Sequence, residues 1–369
     1  MNAIRIGERW VGRGHPTYVI AEIGSNFDGD LDQAKYLADL AKECGADAAK
    51  FQSFRADEIV SRTGFRVKCS FQANWDRPVY DVYRAAEFPR AWHRELADHC
   101  RKTGIDFLSS PYDRDAVDLL CELDVPALKI GSGEITHLEL LRHIARAGKP
   151  LVLGTGASTL GEVEQAVDIL RAEGNDQIIL LQCVTQYPSP IDQANIRAMQ
   201  TLAQAFELPV GYSDHALGIT VPLGAVALGA CVIEKHFTFD KARRGPDHPH
   251  ALDVAEMKEM VRQIRLMEQA LGSPVKRVEP CESETVILQR RCLFAARDIR
   301  AGQVIAAEDV IALRPMIGIP PKFLPLVVGR RAQADIPAGE AITWDHLLAA
   351  GERIPTAVEP AEAEVSAAI

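Results

Sequence analysis

The chain lacks several things that would narrow its class at once. It has eight cysteines in 369 residues, at 44, 69, 100, 121, 183, 231, 281 and 292, and no two form a CxxC pair. That spacing excludes a disulfide scaffold or a zinc ribbon and suits reduced thiols buried as small apolar groups, as in a cytoplasmic protein. Positive charge is in deficit: 41 Lys and Arg stand against 51 Asp and Glu, a net charge of −10. A nucleic-acid partner is therefore not expected, although a local lysine cluster can still focus an anion. No run of about 18 apolar residues is present, so no membrane span is expected. The opening "MNAIRIGERWVG" has no apolar core of the signal-peptide kind.

What the chain does have is a repeated alternation. Short apolar runs rich in branched residues recur at 18–24, 48–54, 106–112, 127–133, 150–156, 178–184, 209–215 and 231–237. Between them lie stretches with apolar spacing of three and four, such as "DLDQAKYLADLAKECG" at 30–45 and "LGEVEQAVDILRAEG" at 160–174. Glycines at 45, 104, 148, 174 and 229 stop these helices before the next strand. Eight strand–helix units at this length predict a closed (β/α)8 TIM barrel over 1–272. An open doubly wound sheet is the alternative, weakened by the absence of GxGxxG after the first strand. The longest insertion, 55–91, contains "FQANWDRPVYDVYR" and is long enough to fold over the barrel mouth.

Residues 273–290 are polar, carry Pro274 and Pro280, and read as a linker. A module over 291–350 contains "DIRAGQVIAAEDV" at 298–310 and "DIPAGEAITWDHL" at 335–347. Two copies of D-I-x-A-G-x-x-I predict a small β-rich domain with pseudo-twofold symmetry. The Ala-, Glu- and Pro-rich tail, 351–369, is expected to be disordered.

In a barrel of this kind the C-terminal strand ends carry the chemistry. The polar residues there are Glu22, Lys50 and Gln52, Ser109 and Ser110, Lys129, Ser132 and Glu134, Thr155, Thr185 and Tyr187, Ser213 to His215, and Glu234 to His236. The run Glu234–Lys235–His236 is the most telling, because three polar side chains close an apolar stretch. Strand alternation puts Glu234 and His236 on one side and Lys235 on the other or at the rim. His215 and His236 end neighbouring strands and suit a divalent metal with Glu22 or a water, although two satisfied core histidines would leave the same trace. Lys50 and Lys129, among serines and glycines, suit a phosphate or carboxylate pocket, or else internal salt bridges. "HPH" at 248–250 has the look of a metal pair but is read as part of a Pro-rich loop.

The motifs "IAEIGSNFDGDLDQAKYLADLAKECGADAAKFQSF" (20–54), "KIGSGEI" (129–135), "YSDHALGI" (212–219), "VIEKHFTFD" (232–240) and "GPDH" (245–248) carry a resemblance. The chain resembles the sialic acid synthase family, the phosphoenolpyruvate-dependent nonulosonate synthases. Its C-terminal module resembles their antifreeze-like, or SAF, domain of β-clip type. The resemblance spans roughly residues 15 to 350. It implies condensation of phosphoenolpyruvate with N-acetylmannosamine or a related amino-hexose, giving N-acetylneuraminate or a related acid and phosphate. It implies Mn2+ or Mg2+ held by His215 and His236. The implied phosphoenolpyruvate contacts are Lys50, Ser110, Lys129, Ser132, Thr185 and Ser213. The implied sugar contacts are Gln52, Asn74, Glu134, Tyr187 and Asp247, with Arg314 reaching in from the partner of a domain-swapped homodimer. Glu22 or Glu134 would assist proton transfer.

Two departures bear on substrate. Gly154 stands where relatives often carry serine, and "RPMIGIPP" differs from the more usual "RPGTGISP". Legionaminate, pseudaminate or Kdn synthesis from another acceptor is therefore the alternative. A Schiff-base aldolase using Lys129 or Lys235 is a second enzyme class.

Overall fold

The structure, a computed structural model, describes residues 3–65, 72–73 and 75–347. The chain divides into two compact units between Gly272 and Ser273.

The first unit begins with a two-stranded hairpin, β1 (Ile4–Ile6) and β2 (Arg9–Val11), which the sequence reading did not anticipate. Eight parallel strands follow: β3 (Tyr18–Glu22), β4 (Ala48–Ser53), β5 (Asp106–Pro111), β6 (Leu128–Ile130), β7 (Leu151–Gly154), β8 (Ile178–Cys183), β9 (Val210–Asp214) and β10 (Val232–His236). Their hydrogen-bonded order is β5-β4-β3-β10-β9-β8-β7-β6, and β5 packs beside β6. This is a nearly closed TIM-like barrel, as expected from the eight units.

Alternation along each strand sorts the side chains. Ile20, Ala48, Leu108, Val152, Ile179 and Val232 fill the barrel interior. Ile4, Ile6 and Val11 of the hairpin join that cluster and so plug the barrel's lower end. The intervening residues, such as Val19, Phe51, Ile130 and Ile233, face outward onto the helices. The helices start where local chemistry allows. Asp30 accepts from the backbone N–H groups of Asp32 and Gln33 to open the helix Leu31–Glu43, a cap that contributes about 1 kcal/mol. Thr159 with Glu162 and Asp253 with Glu256 form capping boxes at Leu160–Ala172 and Val254–Leu271.

The second unit opens with a short helix, Ser283–Gln289, inside the segment read as a linker. An antiparallel pair follows, β11 (Cys292–Ala295) and β12 (Val310–Leu313). The internal repeat is visible in the hydrogen bonds. Ile299 and Ile336, equivalent positions of the two copies, exchange backbone bonds of 2.9 and 2.8 Å. Asp335 accepts from Ala301 N–H at 2.7 Å, and Asp298 accepts from Ala338 N–H at 2.8 Å. Each copy's aspartate caps the other copy's turn, which is what a pseudo-twofold pair requires. Ile299, Ile305, Ile336 and Ile342 lie together in the core of this unit.

Candidate active site

The upper barrel interior is polar because most strands carry, in or just past their last residues, a residue that breaks the apolar pattern. Parallel register sets Glu22 beside Lys50 and His236, and Glu234 beside Ser213. Lys50 Nζ lies 2.7 Å from Glu22 Oε2 and 3.6 Å from Glu234 Oε2. Lys129 Nζ lies 3.5 Å from Glu234 Oε1. Gln52 Nε2 donates to Glu22 Oε1 at 2.7 Å, and Ser213 Oγ donates to Glu234 Oε1 at 2.8 Å. All four charged groups are buried.

The two glutamates are driven apart. Burial pushes the Glu22 carboxyl up to about 7, against the pull of Lys50 and with the push of Glu234. Burial acts on Glu234 too, but Lys129 and Lys50 together outweigh it and hold that carboxyl down at about 2. One carboxyl is thus poised to hold or release a proton near neutrality while its neighbour stays ionised.

Lys235 has a different role. It points away from this interior, fully buried, and donates to Asp214 Oδ2 at 2.6 Å and to the carbonyl of Ala216. Ser109 also turns outward, to Ser53, whose hydroxyl meets His93 Nε2 at 2.6 Å. Thr155 Oγ1 donates to Leu181 O at 3.0 Å. These three strand-end residues are structural.

A second cluster stands beside the first. His215 Nδ1 donates to Val184 O at 2.7 Å, which leaves Nε2 with its lone pair. Its ring centroid is 5.7 Å from that of His236. His236, Asp247 and His250 form a group whose ligand atoms lie within 4.8 Å of one another. His236 Nδ1 and His250 Nε2 are buried without a hydrogen-bond partner. Burial depresses His236, and it brings His215 and His250 down to about 3, in each case with His236 adding repulsion, so these two rings are neutral near pH 7. Neutral buried imidazoles with bare nitrogens beside a carboxylate fit a divalent cation.

Asp247 is held in place by Ser25, whose N–H and hydroxyl donate to Oδ2 at 2.9 and 2.8 Å. Burial alone would raise this carboxyl, but His236, His250 and Ser25 lower it. Gly24 makes the approach possible: it adopts φ 54°, and a Cβ there would stand 2.6 Å from Asp247 Oδ2. Within "HPH", His248 is a structural residue, bonded to Thr238 at 2.8 Å and Asp28 at 3.0 Å. His250 is the one that stands beside His236.

The interior opens into a cavity of about 400 Å³. Every expected site residue that the structure describes in the first unit lines it. Glu22, Gln52, Lys50, Ser110, Lys129, Ser132, Glu134, Thr185, Tyr187, Ser213, His215, Glu234, His236 and Asp247 all contribute. Burial raises Glu134. Asn74 lies outside the described residues, and Arg314 belongs to the C-terminal unit. The 55–91 insertion supplies an apolar wall: Ile59, Val60, Phe65, Trp75, Val82 and Tyr83. At Gly154 a Cβ would stand 2.7 Å from Ser132 Oγ. That hydroxyl accepts from Gly156 N–H at 3.0 Å and occupies the space a serine at 154 would need.

The sequence reading missed Ser25, the cavity-lining Tyr112 and the apolar wall, and set His250 aside as loop. The "HPH" run was the available signal, but only the backbone path of the loop separates its two histidines.

Comparison with known proteins adds independent evidence. The NeuB family pattern matches residues 37–276, and the SAF domain pattern matches 290–348. The chain is 43% identical to the N,N'-diacetyllegionaminic acid synthase of Legionella pneumophila, over 90% of this chain and 95% of that one. It is 34% identical to the human N-acetylneuraminate-9-phosphate synthase, over 94% and 97%. Among solved structures, the N-acetylneuraminic acid synthetase of Leptospira borgpetersenii, solved with citrate, aligns with a TM-score of 0.70 at 33% identity. That alignment covers 77% of this chain and 95% of that one.

Proposed function

The chain belongs to the NeuB family, and from that premise we propose that it condenses phosphoenolpyruvate with an N-acylated amino-hexose such as N-acetylmannosamine, giving a nonulosonic acid and phosphate. One observation carries the reading. Two lysines and two glutamates with opposed proton affinities are buried together beside a His/Asp group, at the floor of a ligand-sized cavity.

Lys50 and Lys129 would hold the carboxylate and phosphate of phosphoenolpyruvate, assisted by the hydroxyls of Ser110, Ser132, Thr185 and Ser213. These charges are already desolvated, so they act more strongly on an anion than exposed lysines would. Gln52, Asn74, Glu134, Tyr187 and Asp247 would orient the open-chain sugar. Its aldehyde carbon accepts the enol carbon of phosphoenolpyruvate, and cationic character develops at the phosphate-bearing carbon. Water adds there and phosphate departs with cleavage of the C–O bond. The water gives up both its protons, one ending on the aldehyde oxygen and the other leaving with the phosphate as the intermediate collapses to the ketone. Glu22, whose carboxyl is held near neutrality, is placed to move such a proton, with Glu134 as the other candidate. A divalent ion, manganese or magnesium, held by His215 and His236 would supply Lewis acidity at the aldehyde oxygen. Lys235, facing away and bound to Asp214, is not available as a Schiff-base nucleophile.

A specific observation favours a second acceptor. Ile59, Val60, Phe65, Trp75 and Val82 make one cavity wall apolar. A 2,4-diacetamido-6-deoxy sugar offers methyl groups to such a wall, and a relative at 43% identity is a diacetyllegionaminic acid synthase. A panel of N-acetylmannosamine, that diacetamido sugar and mannose, read by phosphate release and product mass, decides between them. Turnover with none of the three would count against the proposal.

We further infer a homodimer in which Arg314 of one subunit serves the sugar of the other. Arg314→Ala would then raise KM for the sugar about tenfold and leave that for phosphoenolpyruvate nearly unchanged. Among the described residues no helix is long and apolar enough to cross a membrane. A cytoplasmic setting is inferred from the free cysteines.

A further inference from the structure

His250 has no part in the mechanism above, yet it is built like a ligand. It is 3% exposed and its Nε2 has no hydrogen-bond partner. An imidazole nitrogen left bare and buried is unfavourable unless something fills the position. The nearest candidates are equally bare. His236 Nδ1 is also orphaned, and the two ring centroids are 4.7 Å apart. Asp247 Oδ2 lies 4.0 Å from His236 Nδ1 and takes its two hydrogen bonds from Ser25. That carboxylate is therefore oriented from behind, as supporting bonds orient metal ligands.

The loop that carries His250 is fixed to the strand that carries His236. Leu252 N–H donates to His236 O, and Thr238 N–H donates to Leu252 O, at 2.8 and 2.9 Å. His248 anchors the loop's other side through Thr238 and Asp28. The position of the His250 ring next to His236 is thus set by backbone and by a neighbouring buried side chain. It does not depend on an exposed loop.

We propose that His250 is itself a ligand of the divalent cation at this site, joining His236 and Asp247, and that it tilts selectivity away from magnesium toward nitrogen-preferring ions such as cobalt, iron and zinc. The inference rests on the metal-dependent reading of the site and extends it. His236, Asp247 and His250 together offer two imidazoles and one carboxylate. Magnesium prefers oxygen donors and retained waters, whereas imidazole nitrogen favours the later first-row ions.

The test uses the full chain stripped with a chelator and titrated with Co2+ and, separately, Mg2+. The expected wild-type result is tight Co2+ binding with visible d–d bands. His250→Ala is expected to weaken Co2+ at least tenfold and shift those bands, with a smaller change for Mg2+. A second readout is the count of imidazole nitrogens coupled to bound Mn2+ in electron spin-echo modulation, compared between the wild type and His250→Ala. Loss of one coupled ring in the variant supports the proposal. An unchanged ring count, or unchanged Co2+ affinity and bands, would overturn it while leaving the synthase reading intact. Absence of metal binding by the wild type, together with absence of phosphate release from phosphoenolpyruvate, would overturn both.

Discussion

Lys235 and Lys50 interrupt, in the same way, the two apolar strands that flank β3, and each is almost fully buried, at 1% and 3% exposed. Their surroundings differ. Lys235 faces outward to one carboxylate, Asp214, and one carbonyl, Ala216. Lys50 faces inward to two carboxylates and a serine, and a cavity opens before it. The outward pair is one cation and one anion, with further bonds from Lys235 to Ala216 O and from Ala216 N–H to Asp214. The inward group has two cations, two anions of opposed proton affinity, and orphaned imidazole nitrogens alongside. Buried charge that is fully paired holds the fold. Buried charge with spare bonding capacity facing a cavity awaits a ligand.

Mutations on the two sides should therefore separate stability from activity. Lys235→Met leaves Asp214 buried without its cation, an expected loss of about 3–5 kcal/mol in unfolding free energy. Adding Asp214→Asn should restore most of it, since an amide oxygen still accepts from Ala216 N–H, as Asp214 does at 2.9 Å. Denaturant midpoints check both. Lys129→Met should do the converse. It should lower kcat/KM for phosphoenolpyruvate by two to three orders of magnitude, equivalent to about 3–4 kcal/mol, with a smaller change in stability. An equal fall in stability and activity for both lysines would erase the distinction.

Glu22 gives a pH signature of intermediate size. Its carboxyl is raised in the folded state, from about 4.3 when unfolded to about 7. Between these values the folded chain holds a proton that the unfolded chain has lost. The stabilisation it contributes is therefore complete below about pH 4.3 and is lost as pH rises through 7. Glu234 works in the opposite sense: its carboxyl is lowered to about 2, so its contribution is present above about pH 4.3 and lost on acidification toward 2. Glu22→Gln should flatten the decline from pH 5 to 7, measured as unfolding midpoints at both pH values. An unchanged slope would remove Glu22 as the group responsible.

The smallest effect expected is at Gly154. A serine there must displace Ser132 Oγ, which a Cβ would approach to 2.7 Å. Gly154→Ser should raise KM for phosphoenolpyruvate a few-fold and leave the sugar's KM alone. A lowered KM would mean that the added hydroxyl serves the phosphate in place of Ser132.

The barrel was legible in the sequence because parallel strands buried on both faces leave continuous apolar runs, and several of the helices stop at a glycine, at 45, 104, 148, 174 and 229. Strand alternation then sorted Glu234 and His236 from Lys235 without any structure. The N-terminal hairpin was not legible, since strands as short as Ile4–Ile6 carry too few residues for a period. His250 was missed for a related reason. In a strand the direction of a side chain follows from its number, whereas in "HPH" it depends on the turn of the loop and on the Leu252–His236 backbone bond. The apolar wall from the insertion was hidden because irregular segments have no periodicity to show which residues face the cavity. The exchange of aspartate caps in the C-terminal unit, by contrast, was foreshadowed by the repeat itself.

The most direct test is phosphate release from phosphoenolpyruvate by the full chain near neutral pH, with and without an acceptor sugar, and with the metal removed by EDTA and then restored. The account predicts release that requires both the sugar and the divalent ion and yields a nine-carbon acid in equal amount. Release without any sugar, or release undiminished by EDTA, would contradict it.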